Sequence, residues 1–135
     1  MRYDLDQALA THARALHVGN QRMQVLATNI ANADTPGYLA RDIDFRSVMS
    51  TARDDQEDAS RLARTHAAHL TASGSQADVA EVLYRVAVQP SLDGNTVDTD
   101  RESAAVAETA VRYEATLMLL NSKIRGLRTA ITGSQ

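Results

Sequence analysis

Cysteine and tryptophan are absent from this 135-residue chain, and the aromatic residues amount to one phenylalanine, Phe45, and four tyrosines. The missing cysteines exclude disulfides, thiolate nucleophiles and cysteine-type zinc sites; they suit the cytoplasm and an exported chain equally. The shortage of aromatics removes the largest core anchors. No stretch approaches the roughly 20 apolar residues that a membrane-crossing helix needs, so direct membrane insertion is not expected. The first residues include Arg2, Asp4 and Asp6 rather than a basic segment followed by an apolar run, which predicts no cleaved secretory signal. Positive charge is not in surplus either. Fourteen basic against seventeen acidic residues leave a net charge of −3, which argues against a dedicated nucleic-acid binder, since phosphate contacts require a basic footprint.

What is present is mostly small. Hydrophobic residues make up 44% of the chain, but 23 of them are alanine, and Leu, Ile, Val and Phe together number 28. That is barely above the roughly 20% level below which chains stay disordered. A compact enzyme with a deep apolar pocket is therefore not expected. A single domain that completes its burial against partners is.

The apolar residues are arranged periodically at both ends. Leu9, Leu16, Met23 and Ile30 recur every seven residues, interleaved with Leu5, His12, Gly19, Leu26 and Ala33. This 4-3 alternation predicts an amphipathic helix with a coiled-coil-like seam over residues 1–33. His12 and Gly19 weaken the middle of the seam, and the glycine costs up to about 1 kcal/mol in helix propensity.

Residues 99–135 repeat the pattern without a break through Val106, Ala110, Tyr113, Leu117, Leu120, Ile124, Leu127 and Ile131. Thr99 followed by Glu102 reads as a capping box. Asp98 and Asp100 place negative charge near the positive end of the helix, and Lys123, Arg125 and Arg128 place cations near the other. Each helix would be roughly 45 Å long. The expected fold is mainly α: long N- and C-terminal helices forming a coiled-coil-like pair, with residues 34–98 as a turn motif and a small irregular or β-containing middle region of the same structural unit. Spacing alone leaves open whether the two seams form the private core of a hairpin or surfaces for other chains.

Between the helices, Asp34-Thr35-Pro36-Gly37 predicts a stop, with Pro36 and Gly37 suited to the two central positions of a type II turn. Asn32 suits a left-handed helix cap. Arg53 to Arg64 is dense in charge, Ser73-Gly74-Ser75 suggests a flexible joint, and Val79 to Val88 could be a strand or a short helix. Asp93-Gly94 reads as a hairpin-type turn.

Candidate chemistry is sparse. His66 and His69 are three apart, as helical metal ligands can be, but no third ligand accompanies them and a surface helix is the simpler reading. Asp93, Asn95, Asp98 and Asp100 superficially suggest a calcium loop, yet the glycine falls at the wrong position and no closing glutamate follows. Asp42 and Asp44 flank Ile43 and could form a carboxylate pair for acid–base work, but no nucleophile or pocket-forming residue accompanies them. Walker loop, dinucleotide turn, serine elbow and HExxH are all missing. No cofactor, metal or catalytic residue is expected.

One segment is far more specific than periodicity. Val25-Leu26-Ala27-Thr28-Asn29-Ile30-Ala31-Asn32-Ala33-Asp34-Thr35-Pro36-Gly37-Tyr38 resembles the signature of the axial proteins of the bacterial flagellum. The continuation Ala40 to Phe45 resembles the proximal rod members in particular. So does a second stretch, Tyr84-Arg85-Val86 followed by Gln89 to Asp98, and Tyr113, Asn121 and Lys123 on the C-terminal helix extend the likeness over nearly the whole chain. Ala87 stands where many members carry proline, and Arg53 to Ser75 matches only loosely.

The resemblance implies a non-enzymatic structural subunit of the rod, the drive shaft that crosses the periplasm, passed through the flagellar type III export apparatus without a cleaved signal. It also implies partners: copies of itself, other rod proteins and the ring–rod junction, joined helically through the terminal helices to transmit torque. Asn29, Asn32, Thr35, Pro36, Gly37 and Tyr38 would then form an assembly and turn motif, with Pro36 and Gly37 setting the exit of the chain and the two asparagines satisfying backbone groups at the helix end. Outside the rod, one or both terminal segments are expected to be partly unfolded. Two rival readings stand beside it: a helical adaptor or chaperone using the same seams to bind another protein's helix, and a wall-cleaving enzyme built on Asp42 or Asp44.

Overall fold

The computed structural model describes residues 5–51, 80–86 and 91–133. His66, His69, the Arg53 to Arg64 run and the Ser73 to Ser75 joint lie outside the described residues.

Two long helices dominate. Helix α1 spans Leu5–Ala31 and helix α2 spans Thr99–Thr132, about 40 and 50 Å at 1.5 Å per residue. They run antiparallel, because Asn29 near the end of α1 meets Glu102 near the start of α2 while Gly19 faces Tyr113 further along. The glycine that weakens α1 as an isolated helix lies against Tyr113. A Cβ placed on Gly19 would stand 3.5 Å from Cδ2 of Tyr113, ordinary contact, so the ring leaves room for a methyl group but not for a larger side chain.

Between the helices the chain forms a small antiparallel sheet. Strand β1 is Arg41–Ile43 and strand β2 is Val82–Tyr84, in the register Arg41↔Tyr84, Asp42↔Leu83, Ile43↔Val82. The apolar run from Val79 to Val88 thus contributes a strand rather than a helix. Residues 45–51 are helical, and Asp44 caps them by accepting from the Ser47 N–H at 3.1 Å.

The apolar core is small: Val18, Leu26, Ala40, Ile43 and Ala80 are buried, with Val25, Phe45 and Val48 packed against it. Along the expected seams, Leu9, Leu16, Met23, Val106, Tyr113, Leu120 and Leu127 are half-buried, while Ile30, Leu117 and Ile124 are exposed. The buried positions of the helix pair are Val18, Gly19, Leu26 and Asn29 on α1 and Glu102 and Thr109 on α2. One subunit therefore covers its seams only in part.

Three local expectations are corrected. Asp98, not Thr99, is the N-cap of α2, its carboxylate accepting from the N–H groups of Asp100 and Arg101; Asp is as good a cap as Thr or better, and Glu102 is committed elsewhere. Asn32 does not adopt a left-handed backbone, since no non-glycine described residue has positive φ; it ends α1 with its side chain, Nδ2 donating to the Thr28 carbonyl at 2.8 Å. Asp93-Gly94 is not the centre of a hairpin. The turn runs from Ser91 to Gly94, closed by the Gly94 N–H on the Ser91 carbonyl, and β2 pairs backwards with β1 rather than forwards across it.

Candidate assembly site

Where α1 ends, the backbone must leave the helix without stranding its last carbonyls. The turn Thr35-Pro36-Gly37-Tyr38 is closed by the Tyr38 N–H on the Thr35 carbonyl at 3.2 Å. Gly37 has φ +71°, the conformation that the third residue of a type II turn demands. Pro36 presets φ at the second.

A second loop clasps this turn. Asn95 is buried, and its Nδ2 lies 3.0, 2.6 and 3.0 Å from the carbonyls of Asn32, Ala33 and Thr35, collecting acceptors of the turn that follows α1. The loop adds three further ties: Gly37 N–H to the Asp93 carbonyl at 2.9 Å, Thr96 N–H to the Tyr38 carbonyl at 3.0 Å, and Ala40 N–H to Thr96 Oγ1 at 2.8 Å. Gly94 comes so close that a Cβ on it would stand 3.7 Å from Cα of Gly37. Ser91 and the Asn95 N–H both donate to Asp93, which holds that exposed carboxyl below its usual range.

Asn29 is the centre of the joint. It is fully buried, and its amide pairs with the main chain of Arg41 as a neighbouring strand would: Nδ2 donates to the Arg41 carbonyl at 2.7 Å and Oδ1 accepts the Arg41 N–H at 3.1 Å. The Tyr38 hydroxyl donates to the same Oδ1 at 3.2 Å. The remaining proton goes to Glu102 Oε2 at 3.0 Å. Both donors and both lone-pair positions of the amide are therefore used.

From Glu102 a chain of alternating charge runs back to α1. Arg85 bridges Glu102 and Asp42, and Arg22 grips Asp42 with two hydrogen bonds of 2.9 and 3.1 Å. Two cations and two carboxylates thus compensate one another. Burial opposes ionisation of Asp42, but the hydrogen bonds from Arg22 and Arg85, with the Ile43 N–H and the Arg22 charge, hold its carboxyl below the ordinary value. The hydrogen bond to Asp42 likewise raises Arg22. Removing one member of such a set leaves the others without a counter-charge, which costs more than the pair contributes when intact.

Asn29, Asn32, Thr35, Pro36, Gly37 and Tyr38 are thus gathered into one joint; Thr35 Oγ1 donates to Asn32 Oδ1. Asp42 and Asp44 are not brought together, the first being locked between arginines and the second capping residues 45–51. Spacing does not single out Arg22, Arg85, Asn95 or Glu102 as partners of the turn. Arg85 and Asn95 do fall within the second stretch that carries the resemblance. Arg22 leaves no signal beyond being a charge on an otherwise nearly uncharged helix. What these hydrogen bonds and ion pairs can do is fix geometry: they tie β1, β2 and the start of α2 to the end of α1.

The match to known proteins falls on the same features. The family model described as flagella basal body rod protein matches residues 9–38, that is, α1 from Leu9 through the turn to Tyr38. The flagellar basal body rod protein FlgB of Salmonella typhimurium is 44% identical over 133 residues, covering 96% of each chain. Those of Escherichia coli K12 and Cereibacter sphaeroides are 45% identical over 126 residues and 46% identical over 125, each covering more than nine-tenths of both chains. Likeness of this degree over nearly the whole length means that the chain belongs to the FlgB family of flagellar basal body rod proteins.

Proposed function

We propose that the chain is a structural, non-catalytic subunit of the proximal rod of the flagellar basal body, assembling helically with copies of itself and with other rod proteins, and at the ring–rod junction, to transmit torque. The observation that supports this best is the uncovered apolar surface of α2. Val111 and Met118, seven residues apart and so on one face of the helix, are 67% and 62% exposed, on the side of α2 away from the buried Glu102 and Thr109. Exposed apolar side chains that share a face in this way mark an interaction site.

The joint at Asn29 suits the mechanical task. Torque passes between neighbours only if each subunit keeps its shape under load, and buried polar groups with every partner satisfied resist local opening. The helices supply the interfaces, and the joint sets the direction in which the middle region leaves the helical layer. Among the described residues no helix is long and apolar enough to cross a membrane. The route that fits this reading is export through the flagellar apparatus, with the N-terminus uncleaved, to a site in the periplasmic part of the basal body.

The test is a deletion strain complemented with a tagged copy. The expected result is non-motile cells lacking the deleted gene, restored swimming with the tagged chain, and the intact chain in purified basal bodies by mass spectrometry. A chain found only in the soluble fraction of a motile strain would overturn the reading.

A further inference from the structure

A sheet edge leaves main-chain groups unpaired unless something covers it, and the two edges of the β1–β2 sheet differ. The Arg85 N–H donates to the Ala40 carbonyl at 2.8 Å. By the antiparallel alternation, Ala40/Arg85 and Asp42/Leu83 therefore exchange hydrogen bonds, while Arg41, Ile43, Val82 and Tyr84 point their N–H and C=O groups outward. On the β1 side the outward groups of Arg41 are taken by the Asn29 amide, and the Ile43 N–H by the Asp42 carboxylate. On the β2 side the outward groups of Val82 and Tyr84 meet no partner among the described residues. The side chains leave this edge open too. Glu81 is exposed, Leu83 and Tyr84 are 48% and 70% exposed, and no proline or lysine blunts the strand from Ala80 to Val86.

We propose that in the isolated chain β2 pairs antiparallel with β2 of a second copy, centred on Leu83, to give a four-stranded sheet in the order β1-β2-β2-β1. Two features select a second copy as the occupant. Set against itself in reverse, Glu81-Val82-Leu83-Tyr84-Arg85 places the acid of each copy opposite the arginine of the other, an arrangement that favours strand pairing. The Arg85 Nη atoms hold Glu102 and Asp42, and its Nε meets no partner among the described residues, which leaves a donor for Glu81 of the second copy. The same register also satisfies the main chain, because Val82 of one copy and Tyr84 of the other become hydrogen-bonded pairs. A slip of one residue would set outward groups against inward ones, and a slip of two would part Glu81 from Arg85. The contact is isologous and closes on itself, whereas successive subunits of a rod share one polarity, so the pairing belongs to chains not yet assembled. A strand pair this short buries far less than the roughly 1,000 Å² of a stable interface. The dimer is therefore weak and concentration-dependent, and it can give way to assembly.

The test uses the purified full-length chain, which has no native cysteine. Sedimentation equilibrium should show monomer and dimer, with the dimer fraction rising with concentration. Directly opposed residues of a non-hydrogen-bonded pair bring their Cβ atoms within disulfide reach. Leu83→Cys should therefore give a disulfide-linked dimer on oxidation with diamide, and Tyr84→Cys, which meets its own copy only diagonally, should not. Val82→Pro removes an outward N–H and no bond of the β1 ladder, so it should abolish the dimer with helix content unchanged by circular dichroism. Glu81→Lys, at an exposed position, should weaken dimerisation about tenfold by setting like charges opposite each other. A chain that stays monomeric up to millimolar concentration, a dimer that survives either Val82→Pro or Glu81→Lys undiminished, or linkage through Tyr84→Cys in place of Leu83→Cys would each overturn the pairing. None of these outcomes touches the rod reading, which the basal-body test decides separately.

Discussion

Replacing Asn29 by aspartate changes one atom in size-matched fashion and tests the joint directly. Oδ1 keeps its acceptor role toward the Arg41 N–H and the Tyr38 hydroxyl, but the donor side is lost. The Arg41 carbonyl at 2.7 Å and the Glu102 carboxylate at 3.0 Å would each face oxygen. Each stranded buried acceptor costs about 1–3 kcal/mol, so the variant should lose about 2–6 kcal/mol, a large part of a typical 5–15 kcal/mol stability. The new carboxyl is buried beside Glu102, and both burial and the like charge raise its folded-state pKa above the unfolded value of about 3.9. The folded form then holds a proton that the unfolded form releases, so stability of the variant falls as pH rises from about 4 until the folded pKa is passed. Below that range the protonated carboxyl can donate one of the lost bonds and the defect shrinks. Asn29→Ala loses these bonds and also the two that Oδ1 accepts, but adds no charge, so its defect should not grow across that window. Urea unfolding followed by far-ultraviolet circular dichroism, at pH values on either side of the window, separates the two variants. A deficit under 1 kcal/mol at neutral pH, or equal pH dependence in both variants, would show that Asn29 is not the buried hub described.

Four further outcomes follow from the same geometry. Gly37→Val should impair assembly and motility, because a left-handed backbone costs a non-glycine residue about 1–2 kcal/mol and a β-branched one more; nothing lies within 4 Å of the added Cβ, so the cost is conformational, and normal motility would rule out a role for the turn. Gly19→Ala should stabilise α1 by about 0.5–1 kcal/mol, since 3.5 Å to Tyr113 is ordinary contact; Gly19→Leu should destabilise by displacing the ring, and thermal melts distinguish them. Asp42 has a depressed folded pKa, so its contribution is present above the unfolded value of about 3.9 and is lost as pH falls through the folded value; Asp42→Asn should flatten that acid limb. In hydrogen exchange on the isolated chain, amides around Asn29, Arg41 and Asn95 should be protected while the ends of α1 and α2 exchange quickly; strong protection throughout residues 5 to 30 would contradict subunit helices that order on assembly.

The helices were legible because their signal is local and repeated. Leu9, Leu16, Met23 and Ile30, or Tyr113, Leu120 and Leu127, announce a stripe whatever lies around them. The turn was legible for a related reason: Pro36 and Gly37 act through their own backbones. The joint was not. Glu102 reads as a helix-cap partner by its three-residue spacing from Thr99, and only the antiparallel crossing of α1 and α2 delivers it to Asn29, 73 positions away. Asn95 reads as a turn residue, and its capture of three carbonyls depends on where the loop falls over the end of α1. Long-range polar partners carry no periodicity, so the stretches that carry the family resemblance hold Asn29, Asp42, Arg85 and Asn95 without showing what they touch, and Arg22 and Glu102 lie outside them.

That difference has a physical consequence for how such a subunit divides its interactions. Polar groups stranded in a buried place are costly at any stage, so the joint has to be complete within one chain, and in the Asn29 amide every hydrogen-bonding position is filled. Apolar groups left in water are costly only in proportion to area and can wait for a neighbour. Val111 and Met118 stay exposed in the subunit, while Asn29 and Glu102 do not. A chain with few aromatics and much alanine can therefore hold its geometry through a small polar centre and reserve its scarce apolar surface for the contacts that build the rod. The same logic explains why a thin core does not imply an indefinite shape: the direction of the chain at Tyr38 is set by hydrogen bonds, and hydrophobic burial is left to decide what the two helices stand beside.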